Sequence, residues 1–426
     1  MITKPLLRNV IEDQMKEITK LEGSVPRTIF PEILSYNGSS AFVVKGVRRC
    51  GKSTLLMQLM RTKFKNNFIY LNFDDELLSG LVAEDLRIVM ETLIEMIGDK
   101  KVVFFDEIQN IKGWELFVSR LLRQGYSVFI TGSNADLLSK ELGTHMTGRH
   151  TDVELYPFSF MEFIIAKKPT SIKQGLLYSA SQVALLSGLF KEYLLKGGMP
   201  EVVVLSNERI LVEVVDDIIR KDILNRYNVR KPIELKSVLR FLISNASNMI
   251  TYRSVAGNFG IKSSITIEKY ISYATEAYLL FEVRKFERKL KMIDKNPRKV
   301  YCVDNGILVK NSPTTLEHRG AILENIIAVH LKRVGKEFYY YKNEMGKEAD
   351  FVIPADKTVI QVCYELNSSN IERELAGLVA AANEIKAKKT FILTLEQEQE
   401  LKHQKLTVEV KPAWRWLLET ESFSPI

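Results

Sequence analysis

AFVVKGVRRCGKSTLLMQLM, residues 41–60, decides how this chain is read. A short apolar run ends at Lys45. Gly46-Val47-Arg48-Arg49-Cys50-Gly51-Lys52-Ser53 follows, with Thr54 next. Those eight residues match G-x-x-x-x-G-K-[ST] in full, between a strand-like run and a helix-like one. The glycines let the backbone wrap so that successive N–H groups face phosphate oxygens, and the helix behind them offers its positive end. Lys52 has the reach for the β- and γ-phosphates, and the Ser53 hydroxyl suits Mg²⁺. Gly46 through Thr54 are the candidate nucleotide cradle.

The next apolar run supplies the partner groups. Val102-Val103-Phe104-Phe105 places Asp106 and Glu107 at the C-terminal edge of a buried strand, where α/β sheets bind ligands. Asp106 is expected to hold Mg²⁺ through water, and Glu107 to act as the base on the attacking water. Ser133 and Asn134 close a third run, FITGSN, where a polar side chain suits either a γ-phosphate sensor or a helix N-cap. Arg149, in MTGRH, is the candidate arginine finger acting on a neighbouring copy in a homo-oligomer, or else a solvated surface residue; Arg120 and Arg123 are alternatives. No base-reading NKxD stands in a suitable place, which favours ATP over GTP.

Apolar runs at 41–46, 68–75, 101–107, 126–134 and 152–159 alternate with helix-length segments, the pattern of a buried parallel sheet. Residues 161–228 read as mostly helical with one break at KGGMP. Residues 230–310 read as three helices and a β-ribbon, and a second α/β unit follows Pro313. With 426 residues the chain exceeds one ordinary domain. No apolar run reaches the ~18 residues of a membrane helix, the N-terminus has no apolar signal region, and three scattered cysteines form no disulfide or zinc pattern. A cytoplasmic protein with no membrane partner is expected.

The net charge of +8 is not spread evenly. Arg230–Lys299 holds 15 Lys/Arg against 6 Asp/Glu, leaving 45 against 46 elsewhere. A basic segment on a neutral body is a footprint for nucleic acid or simply a solvated face. Thr251–Phe259, a turn at Gly260-Ile261 and Ser263–Leu280 have the shape of helix–turn–helix. Ile265, Tyr270, Ile271, Ala274, Ala277 and Tyr278 would form its buried face, leaving Lys262, Ser263, Ser264, Thr266 and Lys269 exposed. RKFERKLKMIDKNPRK (284–299), with eight Lys/Arg, reads as a phosphate-contacting hairpin, so nucleic acid is expected at 262–299.

Taken together, GVRRCGKST, VVFFDEIQNIKGW and ITGSNADLLS…TGRH…ELYPFSFMEF resemble the prokaryotic AAA+-like ATPases with the motif G-x-R-R-x-G-K-[ST]. KEYLLKGGMPEVV, RKDILNRY, KVYCVDNGIL and GAILENIIAVHL extend the resemblance over nearly the whole chain. It implies an α/β fold: a P-loop NTPase core (1–160), a helical lid (161–229), a winged-helix segment (230–310) and a restriction-endonuclease-like domain (311–426). In such endonuclease-like folds a helical Glu, a strand Asp and a [DEQ]-x-Lys pair hold Mg²⁺. Glu324, Asp350 and Gln361 occupy matching positions, but Cys363 stands at the lysine, with Glu365 two residues on and, by alternation, on the same strand face. A thiol supplies no permanent cation and is a poor Mg²⁺ ligand, so cutting is not expected. The five histidines show no metal spacing. The expected activity is Mg²⁺-dependent ATP hydrolysis coupled to remodelling nucleic acid or protein. A nucleotide-gated binding module is the alternative, with an ATP-regulated nuclease a third reading.

Overall fold

Strand β1 (Ala41–Lys45) is buried along its whole length and paired on both edges. It runs parallel to β4 (Ser127–Gly132) on one side and β5 (His150–Glu154) on the other. Strand β3 (Val102–Asp106) joins β4, and β2 (Ile69–Asn72) joins β3, also in parallel. The order is β2-β3-β4-β1-β5, a five-stranded parallel sheet of P-loop NTPase type within a mixed α/β chain. The computed structural model describes residues 3–19, 24–29, 33, 40–65, 67–133, 150–167, 179–288, 296–312, 318–403 and 406–421.

One apolar cluster covers one face of this sheet. It draws on α1 (Lys4–Thr19), α3 (Leu86–Ile97) and α4 (Trp114–Arg123), while α2 (Lys52–Leu59) opens at the end of the 46–51 loop. Leu7, Val10 and Ile11 line the buried face of α1. Phe104 and Phe129, neighbours across β3 and β4, stack with ring centroids 4.7 Å apart. The fifth run is displaced from its expected place at 152–159. Leu155 gives a last N–H to the Lys45 carbonyl at 2.7 Å, and then Pro157, which has no N–H to give, takes the chain out of the sheet.

The chain divides into two compact units. Of the described residues, one takes those up to Tyr156 with Glu276–Tyr278, and the other takes Pro157–Thr275 and those from Leu279 onward. The second unit opens with helices α5 (Phe160–Lys167), α6 (Ala180–Lys196), α7 (Pro200–Leu205) and α8 (Ile210–Asp217). Next come α9 (Pro232–Ser244), β6 (Met249–Ile250), α10 (Tyr252–Asn258), α11 (Ser264–Glu276), β7 (Leu280–Val283) and β8 (Arg298–Cys302). These three strands form an antiparallel sheet in the order β6-β8-β7.

After α12 (Asn305–Asn311) and α13 (Arg319–Arg333), the unit ends in a mixed six-stranded sheet. Its strands are β9 (Tyr339–Lys342), β10 (Glu348–Ile353), β11 (Thr358–Val362), β12 (Lys389–Thr394), β13 (Gln399–His403) and β14 (Leu406–Pro412), in the order β13-β14-β12-β11-β10-β9. Helix α14 (Ile371–Ile385) lies on it, and α15 (Ala413–Thr420) closes the described chain. Among the described residues no helix is long and apolar enough to cross a membrane.

Candidate active site

The cradle starts where β1 stops. At Gly46 a Cβ would stand 2.1 Å from the Leu155 carbonyl oxygen and 3.0 Å from the Cys50 sulfur, so the turn out of the sheet admits only hydrogen there. Gly51 takes a left-handed conformation (φ 98°), as does Arg49 (φ 63°), and Cys50 N–H closes the loop on the Val47 carbonyl at 3.2 Å. Helix α2 begins at Lys52, leaving its first N–H groups facing the loop. Arg27 buttresses the cradle from behind, donating to the Cys50 carbonyl at 2.8 Å and to the Tyr156 carbonyl. It lies in the N-terminal segment and has no motif to announce it.

Lys52 is buried. Its ammonium donates to the carbonyls of Gly46 (3.1 Å) and Val47 (3.3 Å) and lies 3.5 Å from a Glu107 oxygen. Asp106 is fully buried at the end of β3. Burial pushes its carboxyl above the ordinary range and Glu107 adds to this, while hydrogen bonds from Ser53 and Thr131 pull the other way. Thr131, at the end of β4, does two jobs: its hydroxyl donates to Asp106 and accepts the Glu107 N–H at 3.0 Å. Tyr70 reaches the second Asp106 oxygen at 3.4 Å. Glu107 sits in a left-handed turn (φ 52°), and the Gln109 amide donates to its carboxylate.

Lys52, Ser53, Asp106 and Glu107 therefore converge at one edge of the parallel sheet. Arg48 is 3.7 Å from Asp74, beyond β2. Ser133 is buried at the end of the FITGSN run; Asn134 and Arg149 lie outside the described residues. Arg120 stacks over Phe117, and Arg123 donates to Ser119 within their own helix. Sequence reading missed Thr131, Gln109 and Arg27. The first two stand within a few residues of recognised positions, and their polar side chains beside a buried acid were the available signal.

In the second unit the basic segment divides into two kinds of cation. Arg253, Lys262 and Lys269 are exposed on α10 and α11 and the turn between them. Three of the described cations of the 284–299 stretch pair instead with acids. Arg288 pairs with Glu384 at 3.0 Å and Arg298 with Glu282 at 2.9 Å. Lys289 and Lys291 lie outside the described residues. Ile265, expected in the buried face of α11, is 60% exposed because the helix begins only one residue earlier and its first turn faces outward.

Lys299 is the larger surprise. Its ammonium, 2% exposed as a residue, lies 2.9 Å from Asp350, 3.0 Å from Glu324 and 3.0 Å from Glu348. Burial opposes its charge, yet Asp350 and then Glu324 outweigh that and hold it well above its ordinary value. Gln361 turns its amide to Glu374 at 2.7 Å, and Arg373 holds the same carboxylate at 2.6 Å. Burial, then Glu374, pushes the Cys363 thiol up to about 11, so it stays neutral. Strand β11 ends at Val362, so Glu365 is not on the strand face expected for it; its carbonyl accepts the Cys363 thiol instead.

Comparison with known proteins extends these observations. Residues 38–164 match the AAA domain; residues 187–316 and 319–416 match two domains of unknown function, DUF8612 and DUF4143. The uncharacterized protein MJ1544 of Methanocaldococcus jannaschii is 34% identical over 97% of this chain and 96% of its own. An uncharacterized protein of Haemophilus influenzae is 32% identical over 78% of this chain and 84% of its own. Among solved structures, a STAND-type signal transduction ATPase from Pyrococcus horikoshii aligns over 73% of this chain at 15% identity. Its TM-score is 0.28, too low to bear on fold or function, and the chain spans 46% of that longer protein. The chain belongs to the family of MJ1544 and carries an AAA-type, nucleotide-binding ATPase-like domain at residues 38–164.

Proposed function

We propose that the chain is a Mg²⁺-dependent ATPase of AAA+ type that couples hydrolysis to remodelling nucleic acid or a protein bound to it. The observation that carries the reading is the convergence of Lys52, Ser53, Asp106 and Glu107 at the C-terminal edge of one parallel sheet. Backbone N–H groups of Gly46–Thr54 bind the phosphates, and Lys52 exchanges its carbonyl partners for β- and γ-phosphate oxygens. Ser53 and Asp106 fit Mg²⁺, because a buried carboxylate held above its ordinary range gains most from a cation. The bound ion supplies charge neutralisation at the phosphates. Glu107, oriented by Gln109 and by its N–H to Thr131, takes the proton of the attacking water.

In this reading the core is residues 1–160, a helical lid 161–229, a winged helix 230–310 and an endonuclease-like platform 311–426. Asn134 senses the γ-phosphate and Arg149 completes a neighbouring site in a homo-oligomer. Nucleic acid meets the start of α11, because Arg253, Lys262 and Lys269 are exposed while Arg288, Arg298 and Lys299 are engaged by acids. Steady-state ATPase rates with and without duplex DNA test the scheme, with two variants as controls. Lys52→Ala should abolish tight ATP binding in calorimetry. Glu107→Gln should bind ATP as the parent does yet lose turnover by about 10²-fold or more. Parent-rate turnover in Glu107→Gln would move the base to another residue.

A further inference from the structure

The endonuclease-like resemblance implies a divalent ion among Glu324, Asp350 and Gln361, and the side chains present do not fit one. A divalent ion of this class needs several oxygen ligands with free lone pairs converging on one point. Here five of the six carboxylate oxygens already face a donor. Glu324 Oε1 accepts from both Lys299 (3.0 Å) and the Tyr301 hydroxyl (2.7 Å). Asp350 accepts from Lys299 on one oxygen and from the Val362 N–H (2.9 Å) on the other. Glu348 pairs with Lys299 and, at 3.4 Å, with Lys342. Gln361 gives its amide N–H to Glu374, and its oxygen accepts the Asp350 N–H at 3.3 Å. Among the described residues no group of three or more His, Cys, Asp or Glu is arranged to hold a metal ion.

We propose that the ammonium of Lys299 is the resident cation of this carboxylate pocket, holding the position a divalent ion would take and making the terminal domain metal-independent. Three features carry it. The lysine comes from β8, outside the six-stranded sheet, so it is not the strand lysine displaced by Cys363 but a separate residue reaching in. It contacts three carboxylates, on α13 and at two positions of β10, at nearly equal distances. It is buried, so it cannot swing out to let an ion in without moving its strand. A buried carboxylate cluster needs a compensating positive charge, and one ammonium with three strong donors meets that need where an ion would otherwise be required. Phosphodiester cleavage through this pocket is excluded while Lys299 remains, because the metal-bound water that such cleavage uses has no place to form.

The test uses the full chain without nucleotide, titrated with Mn²⁺ alone and followed by loss of the free-ion EPR signal. The parent and Asp350→Asn should titrate identically, and EDTA should leave the parent's melting temperature unchanged. Lys299→Met, or Lys299→Gln if the first does not fold, should gain one Mn²⁺ site and a metal-dependent rise in melting temperature. Adding Asp350→Asn to that variant should weaken the site by ~10-fold or more. Parent Mn²⁺ binding that disappears in Asp350→Asn would overturn the proposal, and the parent alone decides this even if both lysine variants are insoluble. A folded Lys299 variant that gains no site would overturn it equally, showing the ammonium to be a strut and not a substitute ion.

Discussion

Single residues in this chain carry charge states that their surroundings impose. His330 is buried on α13, and burial, then Arg333, lowers its pKa to about 3. The Thr420 hydroxyl donates to the Trp416 carbonyl at 2.7 Å, so it accepts a hydrogen bond from His330 Nε2 at 2.8 Å, which fixes the neutral tautomer. Because the folded value lies below the unfolded one of ~6.5, the stability this ring confers is present above that pH and drains away as pH falls toward 3. Melting curves between neutral pH and pH 4 should fall more steeply for the parent than for His330→Gln, by about 1.4 kcal/mol per pH unit inside the window. Parallel profiles would mean the ring titrates in water. The nucleotide residues were legible because their chemistry is local: eight consecutive positions and one acid pair. Lys299 was not, since its partners lie 25, 49 and 51 positions away and only the packing of β8 against α13 and β10 joins them.

Elements were legible in proportion to how simply burial writes itself into sequence. Four of the five core strands were anticipated in place as apolar runs, because a buried parallel strand cannot alternate; β5, a polar edge strand reading His-Thr-Asp-Val-Glu, lies earlier than its expected run. The β13–β14 pair was not anticipated, since β13 reads Gln-Glu-Leu-Lys-His and is mostly exposed at the sheet's edge. The packing of α14 on β10 was equally hidden. A Cβ at Gly377 would stand 1.7 Å from the Glu348 carbonyl oxygen, so helix and strand touch backbone to backbone. Gly377→Ala should push the helix off the sheet at a cost of about 1–3 kcal/mol, read as a lower melting temperature by calorimetry. An unchanged transition would show that the helix rides on its neighbours rather than on this close approach.

At the scale of the molecule, the charge excess found in the sequence proves to have two destinations. Part is neutralised internally, by Glu282 and the acid pocket, and part lies at the surface, paired with Glu384 at Arg288 and facing solvent at Arg253, Lys262 and Lys269. Reversing those three should weaken duplex binding and reduce the slope of log affinity against log salt by about 0.9 for each phosphate left without a cation, measured by fluorescence anisotropy. A parent with no duplex affinity at low salt would assign the segment to protein partners. The internal share has a consequence for synthesis. Lys299 leaves the ribosome before Glu324, Glu348 and Asp350, so the last domain is born onto a counter-charge already laid down by the one before it. A boundary drawn near residue 310 is a seam in the sequence but not in the electrostatics, and a terminal domain cut there would inherit its acids without their cation.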